Sequence, residues 1–175
     1  ASPSASSSPN SWAGVSAWCA VTDLAKFYDE CVAQHSKAYR HIIKVCGGAP
    51  GASAKVDEEL RFRSPLFHMA KAKDVPLDFN HGIRDGQPRG IGIQHSIWAF
   101  NTIAEARRDA VVPDAQIESL CRLENLSPDA AQDETYGRTV YLRRTSGPSR
   151  LTLFEGGHED LPAAACVWLE HVRRP

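Results

Sequence analysis

The sequence predicts one α/β domain, a mostly parallel sheet with flanking helices. Three observations lead there. Short runs rich in β-branched and aromatic residues alternate with stretches whose apolar residues recur every three or four positions, and no segment repeats another. The 175 residues amount to about one domain, a length that buries roughly 70% of the unfolded surface. With 42% hydrophobic and 23% charged residues, the composition is that of a globular chain rather than a disordered one.

The elements follow in order. Residues 1–11 (ASPSASSSPNS) are low-complexity sequence that cannot offset its own ordering entropy, and a disordered tail is expected there. Gly14–Val21 reads as a buried strand ending at a helix N-cap, Thr22-Asp23. Leu24, Phe27, Tyr28, Cys31 and Val32 form one face of a helix, and a second helix, Tyr39 to Val45, stops at Cys46-Gly47-Gly48-Ala49-Pro50-Gly51. A short helical segment spans Leu66 to Lys71, and a strand begins near Val75 and runs to Asn80. His95 to Arg108 carries Ile97, Trp98, Phe100, Ile103 and Ala104 at helical spacing. A short helix near Gln116–Arg122 and an acidic loop with Asp129, Asp133 and Glu134 come next. Thr139–Arg143 and Arg150–Phe154 read as strands around the turn 145–148. A closing helix, Leu161 to Val172, is expected to turn Ala165, Val167, Trp168 and Leu169 inward.

Charge and apolar runs exclude several functions. Twenty Lys and Arg against 21 Asp and Glu leave net charge −1 with no basic block, which argues against nucleic acid or a polybasic membrane contact. The longest apolar run, Ala13 to Val21, is far shorter than the ~18 residues of a spanning helix, and no basic start precedes an apolar stretch. The five cysteines (Cys19, Cys31, Cys46, Cys121, Cys166) are odd in number and widely spaced, as for reduced, buried thiols. A cytoplasmic location is the expectation. Neither histidines nor cysteines show metal-ligand spacing and no phosphate loop occurs, so neither metal nor cofactor is expected. His35, His41, His68, His81, His95 and His171 are scattered, with the surface as their default.

In α/β sheets functional residues sit on loops beyond the carboxyl ends of strands. Two such loops stand out. One presents Asp85 between Arg84 and Gly86; the other presents His158 after Gly156-Gly157, whose flexibility is expected to allow a tight turn. An acid and then a histidine at successive strand ends form the last two members of the chain order Ser…Asp…His. A serine hydroxyl needs an imidazole to take its proton, and the imidazole needs a carboxylate on its other nitrogen. Asp85-Gly86 is equally a turn signature and His158 equally a loop residue, so both readings stand at this point. No G-x-S-x-G nucleophile elbow occurs, and Ser4, Ser6, Ser7 and Ser8 lie in a tail without fixed geometry or oxyanion donors.

Taken together, GVSAWCAVTDLAKFY, CGGAPG with VDEELRFRSPL, DFNHGIRDG, HSIWAFN, TYGRTVYLRR and LTLFEGGHEDLP resemble the C-terminal part of an α/β-hydrolase domain of the prolyl oligopeptidase-like serine peptidases. The resemblance spans about residues 12–172, read as a partial catalytic domain over 12–175. It implies Asp85 as triad acid, His158 as triad base, Gly156 and Gly157 as the glycines before the base, and a peptide or ester substrate. It further implies that the nucleophile strand, elbow and oxyanion loops precede residue 1, so that the N-terminal strands of the fold are missing. Gly14–Val21 would then offer an unpaired edge to an upstream segment or, as a homodimer, to a second copy. The alternative is a non-enzymatic remnant that folds or self-associates without turnover. The chain departs from the family in its Ser/Pro tail, where an apolar helix is usual, and in a longer segment between Asp85 and His158.

Overall fold

A computed structural model describes residues 13–172; the expected tail 1–11, Trp12 and residues 173–175 lie outside the described residues. The elements are β1 (Val15–Trp18), α1 (Leu24–Ala33), α2 (Tyr39–Cys46), α3 (Ala54–Arg63), a 3-10 helix (Pro65–Ala72), β2 (Leu77–Gly82), α4 (Gln94–Arg107), α5 (Asp114–Cys121), β3 (Ala130–Asp133), β4 (Arg138–Ser146), β5 (Ser149–Phe154) and α6 (Pro162–His171). The five strands form one sheet in the order β1-β2-β5-β4-β3. β1, β2 and β5 are mutually parallel, whereas β4 is antiparallel to β5 and β3 to β4. The sheet is therefore mixed rather than mostly parallel. β4 and β5 are joined through Gly147-Pro148, with Gly147 at φ +51°, and so short a connection permits only an antiparallel pair.

Four further differences from the expected elements stand out. Ala54–Arg63, not read as a helix from the sequence, buries only Val56 and Leu60, a stripe too narrow to register as a period; the Ser53 hydroxyl accepts the Val56 amide at its start. Part of the expected acidic loop, Ala130–Asp133, adds to β4 as an edge strand. In α6, Val167 and Leu169 are exposed instead of inward, because the helix meets the sheet along Ala164 and Trp168, one turn apart. All five cysteines are free; Cys19, Cys31 and Cys46 are buried, Cys121 is half-buried and Cys166 is exposed rather than buried.

The period of two divides the sheet into unlike faces. Phe79, Leu151 and Leu153 face α4, whose Ile97, Phe100 and Ile103 complete the main core. On the other face Ser16, Asp78 and Arg150 stand side by side in register. Asp78 is fully buried there. Its carboxylate accepts Arg150 Nε at 2.8 Å, Asn80 Nδ2 at 2.8 Å and Ser16 Oγ at 3.1 Å. Trp18, Tyr136, Phe154 and Ala164 close over this polar row.

α4 also holds the entry to α1. His95 is fully buried, and its Nδ1 accepts the Thr22 amide at 3.3 Å and the Asp23 amide at 3.4 Å. The ring proton therefore sits on Nε2, 3.4 Å from Glu30 Oε1. Burial pushes the Glu30 carboxyl up, but His95, the Gly92 amide and Gln94 outweigh it and hold it below its ordinary value. Asp23 caps α1 by accepting the Ala25 amide at 2.9 Å and the Lys26 amide at 3.2 Å. Among the described residues no helix is long and apolar enough to cross a membrane.

Removing the Arg150 guanidinium leaves the buried Asp78 carboxylate without its cation. Arg150→Ala is expected to lower stability by about 3–5 kcal/mol in urea unfolding, the usual cost of breaking a buried ion pair on one side. A loss under about 1 kcal/mol would show that water reaches Asp78 and that the pair is not buried in effect.

Candidate active site

β2 and β5 lie side by side in parallel, with Gly82 opposite Phe154, so their carboxyl ends open at one edge of the sheet. The ladder continues past both strands: the Ile83 amide reaches Phe154 O at 2.8 Å and the Arg84 amide reaches Gly156 O at 2.9 Å. Asp85 and His158 follow directly. Gly82 makes the crossing possible, since a Cβ there would fall 2.1 Å from Gly157 O and 2.6 Å from Gly156 C. Gly90, at φ +125°, lies so close that a Cβ would fall 2.0 Å from Asp85 Oδ1. The glycines before His158 act differently from expectation. Neither adopts the left-handed region; Gly156 supplies room, since its Cβ would fall 2.7 Å from Phe154 Cε2, whereas a Cβ on Gly157 meets nothing.

The structure brings the two sequence-predicted residues into contact. His158 Nδ1 lies 2.8 Å from Asp85 Oδ2, with the carboxylate wholly buried and the imidazole 60% exposed. Asp85 is also a turn residue, its amide donating to Gly82 O at 3.0 Å, so the turn and pairing readings hold together. Oδ1 accepts the Gly86 amide at 2.8 Å and the Ile91 amide at 3.0 Å. Oδ2 accepts a second ring, His81 Nε2, at 3.1 Å. Burial pushes the Asp85 carboxyl up, but hydrogen bonds from His81, His158 and the Ile91 amide outweigh it and bring it down to about 2.

An ionised carboxylate only accepts, so both rings must donate to it. His158 therefore carries its proton on Nδ1, and its Nε2 has no hydrogen-bond partner among the described residues. His81 carries its proton on Nε2, shared with Ile91 O at 3.0 Å, and its Nδ1 accepts from the Ser96 hydroxyl of α4 at 2.8 Å. His81 is fully buried, against its expected place at the surface. Its signal in the sequence is the spacing of four to Asp85 across a strand end, which a helix-based assignment of histidines passes over.

Cys19 is the other residue the sequence reading did not place here. It follows β1 at φ +46°, a strained setting for a residue with a Cβ, and its buried thiol lies 3.5 Å from Glu159 O and 3.8 Å from Gly157 O. Cys19 Sγ, an Asp85 carboxylate oxygen and a His158 ring nitrogen all lie within 4.8 Å of one another. Burial pushes the thiol up to about 11, and the negative Asp85 adds to that, so Cys19 is a protonated thiol and not an activated nucleophile. Nothing local in the sequence announces this cluster.

The fold and the site together define a mixed α/β protein with an ionised, buried carboxylate orienting an exposed imidazole at the carboxyl ends of adjacent strands. Comparison with protein-family models, with curated proteins and with solved structures finds no match.

Asp85 links the site to stability. Its carboxyl titrates near 2 in the folded chain against an ordinary 3.8, so the ionised form favours folding. That contribution, about 2 kcal/mol, is present above pH ~4 and is lost as pH falls from about 4 to about 2. Unfolding free energies measured across this window should fall more steeply for the wild type than for Asp85→Asn. Equal slopes would mean that the carboxylate is not held ionised by its four donors.

Proposed function

We propose that this chain supplies the acid and base of a serine hydrolase of the α/β-hydrolase fold, of the prolyl oligopeptidase-like peptidase type, acting on a peptide or ester. The observation that supports this most is the 2.8 Å contact of Asp85 Oδ2 with His158 Nδ1 beyond two adjacent parallel strands. It leaves Nε2 without a partner on a ring open to solvent. In that chemistry Nε2 removes the proton of an attacking serine hydroxyl, and the resulting imidazolium is stabilised by Asp85 through Nδ1–H. Nε2 then returns the proton to the leaving group. His81 keeps the carboxylate from rotating away from His158, and Ser96 keeps His81 in the donating tautomer.

The sequence holds no G-x-S-x-G, so on this reading the serine and the oxyanion donors come from a segment or a partner outside these 175 residues. Among the described residues β1 is the edge strand on the side of the site, and on this reading a further strand pairs with it there. With a product extended upstream to include a serine elbow, an activated ester should be hydrolysed, and His158→Ala or Asp85→Asn should each reduce kcat by roughly 10⁴-fold. The 175-residue chain alone should give no hydrolysis above its own His158→Ala variant. Fluorophosphonate labelling of a serine within these 175 residues would sink the assignment.

The edge position of β1 among the described residues favours a second reading, a self-associating protein without turnover. The expected strand Gly14–Val21 is shorter in the structure, Val15–Trp18; it carries no charge and no proline and Val15 is 41% exposed, so among the described residues little on this edge blocks strand-to-strand pairing with a second copy. Sedimentation at micromolar concentration should then give a dimer that a charged substitution, Val15→Lys, returns to monomer. A wild-type monomer throughout rejects the dimer.

A further inference from the structure

We propose that Cys19, Asp85 and His158 form a binding site for a divalent cation of zinc type, at the edge of the sheet where β1, β2 and β5 end. The three donors are a sulfur, a carboxylate oxygen and an imidazole nitrogen, each from a different strand end, all within 4.8 Å of one another. Zinc bonds to sulfur, imidazole and carboxylate at about 2.3, 2.0–2.1 and 2.0–2.2 Å, so in a tetrahedral site two donors sharing one ion stand roughly 3.4–3.6 Å apart. The cluster thus needs closure by roughly an ångström at its widest separation. The His158 ring, 60% exposed to solvent, has room to make that shift.

The donor set discriminates between ions. Calcium and magnesium take oxygen ligands almost exclusively, whereas a thiolate beside an imidazole selects zinc and its neighbours in the first transition row. Supporting groups are already in place. Asp85 is oriented by His81, Gly86 and Ile91, whereas the carbonyls of Gly157 and Glu159 accept from the Cys19 S–H and give up that proton on ligation. Three protein ligands and an open face at His158 leave a fourth position for water. On ligation the Cys19 S–H bond breaks, its electron pair goes to the metal and its proton to water. The ring proton of His158 leaves the coordinating nitrogen for the other one. The charge of the ion overrides the environment that otherwise keeps the thiol protonated.

The metal site shares Asp85 and His158 with the proposed hydrolytic pair, and on that reading the bound ion occupies the base and inhibits it. The test does not depend on hydrolysis. Titration of the reduced chain with Co²⁺ should give one equivalent of a tetrahedral visible spectrum together with a near-ultraviolet thiolate-to-cobalt band, both displaced by Zn²⁺ and neither by Mg²⁺. Cys19→Ser should abolish the thiolate band. His158→Ala, which leaves the buried Asp85 carboxylate three of its four donors and is therefore titrated only after circular dichroism shows it folded, should weaken binding at least about tenfold. Cys166→Ser should change neither. Absence of a cobalt spectrum overturns the site, as does a thiolate band that persists in Cys19→Ser or disappears in Cys166→Ser. None of these failures touches the hydrolase reading, which stands or falls on turnover in the extended product.

Discussion

A carboxylate taken out of water must find a donor for each of its lone pairs, and around Asp85 much of the structure is arranged to supply four. Two donors are backbone amides of the turn and the following loop, Gly86 and Ile91, and two are imidazoles, His81 from β2 and His158 from beyond β5. Bringing four donors onto one group forces chains together more closely than side chains permit. Gly82 lies under the loop of His158, and Gly90 lies against the carboxylate itself. Either position with a methyl group would separate donors from acceptor.

The same constraint explains the burial of His81 and the importance of α4. A histidine wedged between two acceptors, Asp85 and Ile91 O, can satisfy both only as the Nε2–H tautomer, and Ser96 of α4 enforces that tautomer by donating to Nδ1. The next residue back, His95, receives the amides that open α1 and turns its other nitrogen towards Glu30. Adjacent positions at the start of one helix therefore serve two carboxylate–imidazole pairs, one beneath the candidate site and one at the neighbouring strand–helix junction. The apolar remainder of α4 packs on Phe79, Leu151 and Leu153 and holds both pairs in place.

The proposed hydrolytic and metal-binding roles draw on one arrangement. A carboxylate that orients a ring through Nδ1 leaves Nε2 free for proton transfer, and the same carboxylate and ring, joined by the Cys19 thiol, are a ligand set for a thiophilic cation. Proton relay and metal ligation compete for the same groups, so occupancy by the ion excludes action as a base. The strained backbone at Cys19 is what turns a thiol at the end of β1 towards this cluster.

Much was legible from the order of residues alone. Helical periodicity set α1, α2 and α4 to within two residues, because each buries one continuous apolar stripe. Asp85 and His158 were legible as strand-end residues, since apolar runs deliver them and glycines flank them. What remained illegible had two kinds of cause. Some were local: the two-residue connection of β4 to β5 made the sheet mixed, and α3 formed around two buried residues and a serine cap. The others depended on partners distant in the chain. Val167 and Leu169 stayed exposed because α6 touches the sheet along a single stripe. His81 and Cys19 joined the site for the same reason: a buried histidine or thiol takes its character from the groups that meet it across the fold. Local sequence determines which face a residue presents along its own strand or helix, and only the packing of separate strands decides which charges and donors that face must meet.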